Sequence, residues 1–157
     1  MSKNSPVIIK KILVAVDGSK PSLDAAKAAI HIAEKYEADL TALYVISSDS
    51  RYGYIESNIT PGYSGPLKEI VTIAMEKGQK YVDEVKELAS GKTIKMHSEV
   101  LIAIRSVVKE IVEYAEKQKI DLTVIGTRGM SGFKRMLLGS TASGVVTYSH
   151  CPVLVAK

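Results

Sequence analysis

The chain has 157 residues, of which 46% are hydrophobic, and its formal net charge is +4. This length and composition predict one domain, residues 1–157, with an ordinary hydrophobic core. No apolar run is long enough to cross a membrane, and the modest charge, spread among interspersed Lys and Glu, argues against a nucleic-acid-binding protein. The N-terminus lacks the cleavage site of a signal peptide, and the single cysteine allows no internal disulfide, so we expect a cytoplasmic protein.

Strand-like and helix-like segments alternate along the chain. Residues 8–16 are nearly all apolar, which is typical of a strand covered on both faces, and Asp17-Gly18 ends this run. Ser19 or Lys20 then caps a helix, and a second strand is predicted over residues 39–46. Ser106 is a predicted cap of a later helix. The remaining helices are predicted at 67–88, 107–115 and 137–149, and the remaining strands at 93–104, 121–125 and 152–156.

This alternation predicts an α/β fold, a single doubly wound, Rossmann-like sheet of five parallel strands with helices on both faces. In such sheets ligands bind beyond the C-terminal ends of the strands, where the strand order reverses. The first strand ends at Asp17 and the fourth runs directly into Gly126. Both residues are therefore expected at the ligand-binding edge.

Residues 47–66 interrupt the pattern, because they have no periodicity and are rich in Ser, Gly, Tyr and Pro. Structureless connections of this length are unusual inside a compact domain. The segment is either a plain surface connection or a lid or partner-binding loop. Its three tyrosines, Tyr52, Tyr54 and Tyr63, raise the weight of the second interpretation.

Gly126, Gly129, Gly139 and Ser140 stand at a G-x2-G-x9-G-S spacing after the fourth strand. Glycines let backbone N–H groups approach phosphates closely, and Gly139-Ser140 opens a helical pattern whose N-terminus would attract an anion. The glycines could equally be turn residues only, and Ser140 could be a helix N-cap. Replacing Gly126 and Gly129 with Val is expected to abolish ligand binding without disturbing the fold.

Three blocks of this sequence resemble the universal stress protein family. They are KKILVAVDGS at 10–19, DLTVIGTRGMSGFKRMLLGSTASGVV at 121–146 and HCPVLVAK at 150–157, and the resemblance covers essentially the whole chain. The G-x2-G-x9-G-S spacing is the form found in the members that bind ATP. The resemblance therefore implies ATP (or AMP or ADP) as ligand, with Mg2+ or Mn2+ bound through the phosphates, and a homodimer formed through the closing strand, 152–156.

The same resemblance assigns a role to each site residue. Ala15, Val16 and Val45 would line the adenine end, and Asp17 would lie near the ribose and the phosphates or their metal. The ribose and phosphates would contact Ile125, Gly126, Arg128, Gly129, Gly139, Ser140, Thr141 and Ala142. Arg128 would add a bidentate phosphate donor.

Two departures from the family pattern bear on this site. Many members have Gly-x-Pro after the third strand, where this chain has Ile104-Arg105-Ser106-Val107. Arg105 is either an additional anion contact or a solvated side chain. Gly144 stands inside the last helix, where close packing of that helix on the sheet would explain it.

No convincing set of catalytic residues is present in the sequence. Walker-type and G-x-S-x-G motifs are absent, and Asp17 is the only obvious candidate base at the site. The pattern favours an adenine-nucleotide-binding stress-response protein that acts as a nucleotide-dependent switch, with at most slow ATP hydrolysis. The alternatives are a nucleotide-independent interaction module that uses loop 47–66, and a genuine slow ATPase.

Overall fold

The computed structural model describes residues 8–47, 66–128 and 138–157. Strands and helices alternate throughout these ranges, as predicted. The elements in chain order are β1 (Lys11–Ala15), α1 (Lys20–Tyr36), β2 (Asp39–Ile46), α2 (Pro66–Leu88), β3 (Met96–Ile102), α3 (Val107–Lys117), β4 (Leu122–Gly126), α4 (Ser140–Tyr148) and β5 (Val153–Ala156).

The five strands form one parallel sheet in the order β3-β2-β1-β4-β5. β1 lies at the centre, where Ile12 is level with Leu40 of β2 and Leu122 of β4. The chain first winds outward from β1 to β3 and then returns to place β4 on the other side of β1. The strand order therefore reverses between β1 and β4, and the predicted α/β fold is confirmed.

Side chains of β1 alternate between two hydrophobic clusters, one on each face of the sheet. Ile12 and Val14 pack with residues of α1 and α2, whereas Leu13 and Ala15 pack with residues of α3 and α4. All four side chains are buried. Because helices cover both faces, the strand is apolar from Ile12 to its end at Ala15, and only Lys11, at its exposed start, is charged.

Two strands are shorter than predicted. β1 begins at Lys11, which is level with the first residue of β2, and Ile8 is 63% exposed. β3 ends at Ile102, and Ile104 is 81% exposed. Apolar residues continue beyond the strands in both cases, but no neighbouring strand extends to pair with them.

The predicted caps of α1 and α3 are confirmed, but the proposed cap of α4 is wrong. Ser19 Oγ accepts a hydrogen bond from the N–H of Ser22 at 3.3 Å, and Ser106 Oγ accepts one from Lys109 at 3.1 Å. Ser140 is instead the first residue of α4. Gly139 occupies the cap position and offers no side chain to the helix N-terminus.

Gly144 lets α4 approach α3 rather than the sheet. A Cβ atom added at Gly144 would lie 2.8 Å from Cγ1 of Val108, on α3. The packing that explains this glycine is thus between two helices, which corrects the predicted helix–sheet contact.

Loop 47–66 lies almost entirely outside the described residues, which include only its ends, Ser47 and Pro66. The interpretations of this segment therefore remain predictions. Within the described ranges, no helix combines the length and the apolar character that a membrane span requires.

Candidate ligand-binding site

A cavity of about 530 Å³ opens at the C-terminal edge of the sheet, around the ends of β1, β2 and β4. This volume is within the usual range of small-molecule sites. The position is the one at which doubly wound sheets bind ligands, because the strand order reverses there.

The cavity brings together eleven of the twelve residues that the sequence singled out. They come from β1, β2, β4 and α4 and from the turns beside them: Ala15, Val16, Asp17, Val45, Ile125, Gly126, Arg128, Gly139, Ser140, Thr141 and Ala142. The twelfth, Gly129, lies outside the described residues, as do the other residues between Arg128 and Leu138.

One wall of the cavity is apolar and belongs to the hydrophobic cluster beneath α3 and α4. Leu43 and Val45 of β2 lie on this wall with Val107 and Ile111 of α3 and Ile125 of β4. An apolar wall built from strand ends and a helix face suits a flat, weakly polar ring.

The N-terminus of α4 forms a polar wall. The backbone N–H groups of Ser140, Thr141 and Ala142 have no hydrogen-bond acceptor among the described residues, and no side chain caps them. The N–H of Gly139 donates to the carbonyl oxygen of Thr127 at 2.7 Å, which fixes the start of α4 to the end of β4. Free N–H groups and the positive end of the helix dipole favour an anion at this wall.

Asp17 is held by the first turn of α1. Its Oδ1 accepts a hydrogen bond from the N–H of Ser19 at 3.0 Å, and its own N–H donates to Ser22 Oγ at 3.2 Å. Asp17 is therefore part of the turn between β1 and α1 and at the same time lines the cavity. The turn interpretation and the ligand interpretation of this residue are compatible.

Gly126 is the point at which β4 meets α1. A Cβ atom added there would lie 2.7 Å from the carbonyl oxygen of Pro21 and 3.1 Å from the backbone nitrogen of Ser22. These are backbone atoms, so a larger residue would force the helix itself to move. The expectation that replacing Gly126 and Gly129 with Val leaves the fold undisturbed is therefore contradicted at Gly126, where a side chain would displace the start of α1.

The structure adds cavity residues that the sequence interpretation missed. They are Ser22, Leu43, Tyr44, Ser47, Lys77, Tyr81, Val107 and Ile111. The helical spacing of Val107 and Ile111 indicated a buried face, which was a usable signal. Nothing in the sequence indicated that α2 passes the ligand edge, so Lys77 and Tyr81 could not be found. Arg105 is exposed and is not among the lining residues, which favours its interpretation as a solvated side chain.

Among the described residues, three charged side chains line the cavity. Arg128 and Lys77 contribute positive charge and Asp17 contributes negative charge. Within residues 8–47, 66–128 and 138–157, no group of three His, Cys, Asp or Glu side chains is arranged to hold a metal ion. In the part of the chain that the structure describes, Asp17 is the one carboxylate that lines the cavity.

The sequence profile of the Universal stress protein family matches residues 9–157, and the chain belongs to that family. It is 40% identical to Universal stress protein MJ0531 of Methanocaldococcus jannaschii over 155 residues, which cover 99% of this chain and 86% of the relative. Universal stress protein YxiE of Bacillus subtilis is 33% identical, with 96% of this chain and 100% of the relative covered.

Solved structures share the fold. Universal stress protein UspA from Lactobacillus plantarum superposes with a TM-score of 0.80 at 28% identity and covers 94% of this chain and 97% of its own. A universal stress protein in complex with cAMP (22% identity, TM-score 0.70, 96% and 98% covered) has the same fold. A universal stress protein from Archaeoglobus fulgidus in complex with dAMP also has this fold. It is 19% identical, with a TM-score of 0.63, and the match covers 96% of this chain and 99% of the other.

Proposed function

We propose that this chain binds an adenine nucleotide, with ATP as the first candidate, and acts as a nucleotide-dependent switch in a stress response. The observation that carries the proposal is the composition of one cavity, which joins an apolar wall to an uncapped helix N-terminus. A nucleotide has the matching parts, since its base is flat and weakly polar and its phosphates are anionic.

The parts of a nucleotide fit the walls in one order. The base lies against Val45 and the apolar wall, the ribose hydroxyls face Asp17, and the phosphates accept hydrogen bonds from the N-terminus of α4 and from Arg128. A carboxylate accepts hydrogen bonds from hydroxyl groups and repels phosphate, which favours the ribose over the phosphates as the group beside Asp17. Mg2+ or Mn2+ would be held mainly by phosphate oxygens, as is usual when few carboxylates are available.

The cAMP and dAMP complexes describe those two proteins, and at 22% and 19% identity they establish only a common fold. Support for an adenine nucleotide in this chain comes from its own cavity walls.

Direct binding to nucleotide-stripped protein tests the proposal. We expect ATP with Mg2+ to bind in isothermal titration calorimetry. Mass spectrometry of the nucleotide released from freshly purified protein should identify an adenine nucleotide. No detectable affinity at millimolar ATP, by calorimetry and by equilibrium dialysis, would refute the proposal.

Replacing Arg128 tests the placement of the phosphates. We expect Arg128→Ala to weaken ATP about tenfold, because it removes a charge-assisted hydrogen bond, and to leave adenosine nearly unaffected. Arg105→Ala is the matched control, since Arg105 is exposed and outside the cavity wall. Equal losses in the two variants would indicate only a general effect of positive charge.

Slow ATP hydrolysis is a second candidate function, because the carboxylate of Asp17 lines the same cavity. Asp17→Asn keeps an oxygen that can accept from the N–H of Ser19 and removes only the negative charge. If Asp17 positions a metal or orients water, this variant should lose phosphate release while α1 stays capped. Release at the wild-type rate would exclude that role.

We also propose a homodimer formed through β5, with the closing strands of two copies pairing in antiparallel orientation. β5 lies at the edge of the sheet and pairs with β4 on one side only. Short apolar edge strands tend to pair with another chain.

A further inference from the structure

The cavity continues past the sheet edge onto the opposite face, where α2 forms a wall. Lys77 and Tyr81, four residues apart on α2, line the cavity together with Tyr44 of β2. These side chains belong to the α1–α2 face of the sheet, whereas the apolar wall belongs to the α3–α4 face. The site therefore has a second side that the proposed function does not use.

The aromatic part of this wall is held rigidly. The rings of Tyr81 and Tyr44 meet edge to face, with centroids 5.3 Å apart and planes at 76°. Tyr81 also packs on Gly18, whose φ of +80° and lack of a side chain allow the contact, since an added Cβ would lie 2.6 Å from Tyr81 Cδ1. Tyr81 is thus packed between Tyr44 and the Asp17–Gly18 turn.

The side chain of Lys77 lies over the ring of Tyr81. Its ammonium nitrogen lies 5.9 Å from the centroid of the Tyr81 ring, within the range of a cation–π contact. Among the described residues, no carboxylate lies within ion-pair distance of Lys77, whereas Lys20, Lys92 and Lys109 each have such a partner. Lys77 therefore presents three N–H donors and a positive charge on the cavity wall.

The position of α2 determines which part of a nucleotide lies nearest to Lys77. α2 packs on β2 and β3, and Gly78 brings it close to Tyr44 and Val100. The expected phosphate donors follow β4, two strands away from β2, or about 10 Å at the usual strand spacing. Val45, the expected base contact, is on β2. The α2 wall is consequently closer to the base and the ribose than to the phosphates, and in the proposed arrangement the ribose hydroxyls already face Asp17.

We propose that Lys77 is a specificity-determining residue that donates a hydrogen bond to a ring nitrogen of the bound purine. Adenine has three such acceptors, N1, N3 and N7, and an ammonium is a donor to purine ring nitrogens. This inference rests on the proposed function, because it requires a nucleotide in the cavity.

Deaza analogues of ATP test the contact. Each lacks one ring acceptor (N1, N3 or N7), and one of them should bind the wild-type chain about tenfold more weakly than ATP. In Lys77→Met, which keeps the chain length but not the ammonium, ATP itself should bind about tenfold more weakly. In the same variant, that analogue should bind as tightly as ATP does. This loss of the difference is what a double-mutant cycle gives for a direct contact.

Lys80→Met is the matched control, because Lys80 is exposed on the same helix and is not among the lining residues. It should keep both the ATP affinity and the analogue penalty. Unchanged ATP affinity in Lys77→Met, or an analogue penalty that persists in it, overturns the role of Lys77 while nucleotide binding stands. A loss that grows from adenosine to AMP to ATP, without coupling to a ring nitrogen, also overturns it, since Lys77 would then act on the phosphates. A wild-type chain that binds no nucleotide refutes the proposed function itself.

Discussion

At Gly126 the backbone of β4 lies against the first turn of α1. An added Cβ would lie 2.7 Å from the carbonyl oxygen of Pro21. A crowded side chain can often rotate away, but a crowded carbonyl moves only with its helix. The same turn carries the Ser19 cap and the hydrogen bond to Asp17, so a displaced helix would also displace the cavity wall.

We expect Gly126→Ala to lower the free energy of unfolding by about 1–3 kcal/mol, the usual effect of overpacking, measured by urea denaturation. Gly91→Asn is the control, because nothing lies within 4 Å of an added Cβ at Gly91 and Asn tolerates its φ of +78°. The control should change stability by less than about 0.5 kcal/mol. A Gly126→Ala protein as stable as the wild type would contradict the contact.

At the scale of the elements, the packing of α3 against α4 depends on one small residue. Gly144 weakens α4 by about 1 kcal/mol relative to Ala, but it gives room to the side chain of Val108 on α3. α4 is only nine residues long, so its position depends on this contact and on the bond from Gly139 to Thr127. The uncapped N-terminus at the cavity is thus placed by packing at the middle of the helix and by a backbone hydrogen bond just before its first residue.

We expect Gly144→Ala to destabilise the wild-type chain and to stabilise a Val108→Ala background by about 0.5–1 kcal/mol. In that background the clash is removed and only the higher helix propensity of Ala remains. Thermal unfolding of the four proteins in this cycle measures the difference. The same effect of Gly144→Ala in both backgrounds would mean that Val108 does not limit α4.

The order and type of the elements were predictable because the spacing of apolar residues indicates which face of a helix or strand is buried. The ends of β1 and β3 were not, because a strand ends where its neighbour stops pairing, whatever its own sequence. The β1, β4 and α4 side of the cavity was predictable, since the motif residues adjoin strand ends there. Lys77 was not, because the face that α2 presents depends on how Gly78 packs on Tyr44 and Val100.

At the scale of the whole molecule, the reversal of strand order assembles the site from distant parts of the chain. Asp17 and Arg128 follow β1 and β4, Val45 lies near the end of β2, and parallel pairing brings all three to one edge. The same topology leaves β5 at the rim of the sheet. The N–H groups of Thr123 and Thr127 donate to the carbonyls of Pro152 and Ala156, so the backbone groups of Val153 and Val155 point away from β4.

We expect the wild-type chain to sediment as a dimer at micromolar concentration and Val155→Pro to sediment as a monomer. Proline removes an outward N–H without breaking a bond to β4, and edge strands tolerate it. Val155→Ala, which keeps the N–H, should remain a dimer. A wild-type monomer under these conditions would show that β5 is not the interface.

The contact between Gly126 and Pro21 has a consequence for interpreting other sequences of the family. It joins two parts of the scaffold and involves no ligand, so a member that had lost its nucleotide would still require glycine at this position. A genomic survey that counted this glycine would therefore count correctly folded members rather than nucleotide binders. The start of α4 bears more directly on ligand binding, because its unpaired N–H groups have no comparable structural use among the described residues.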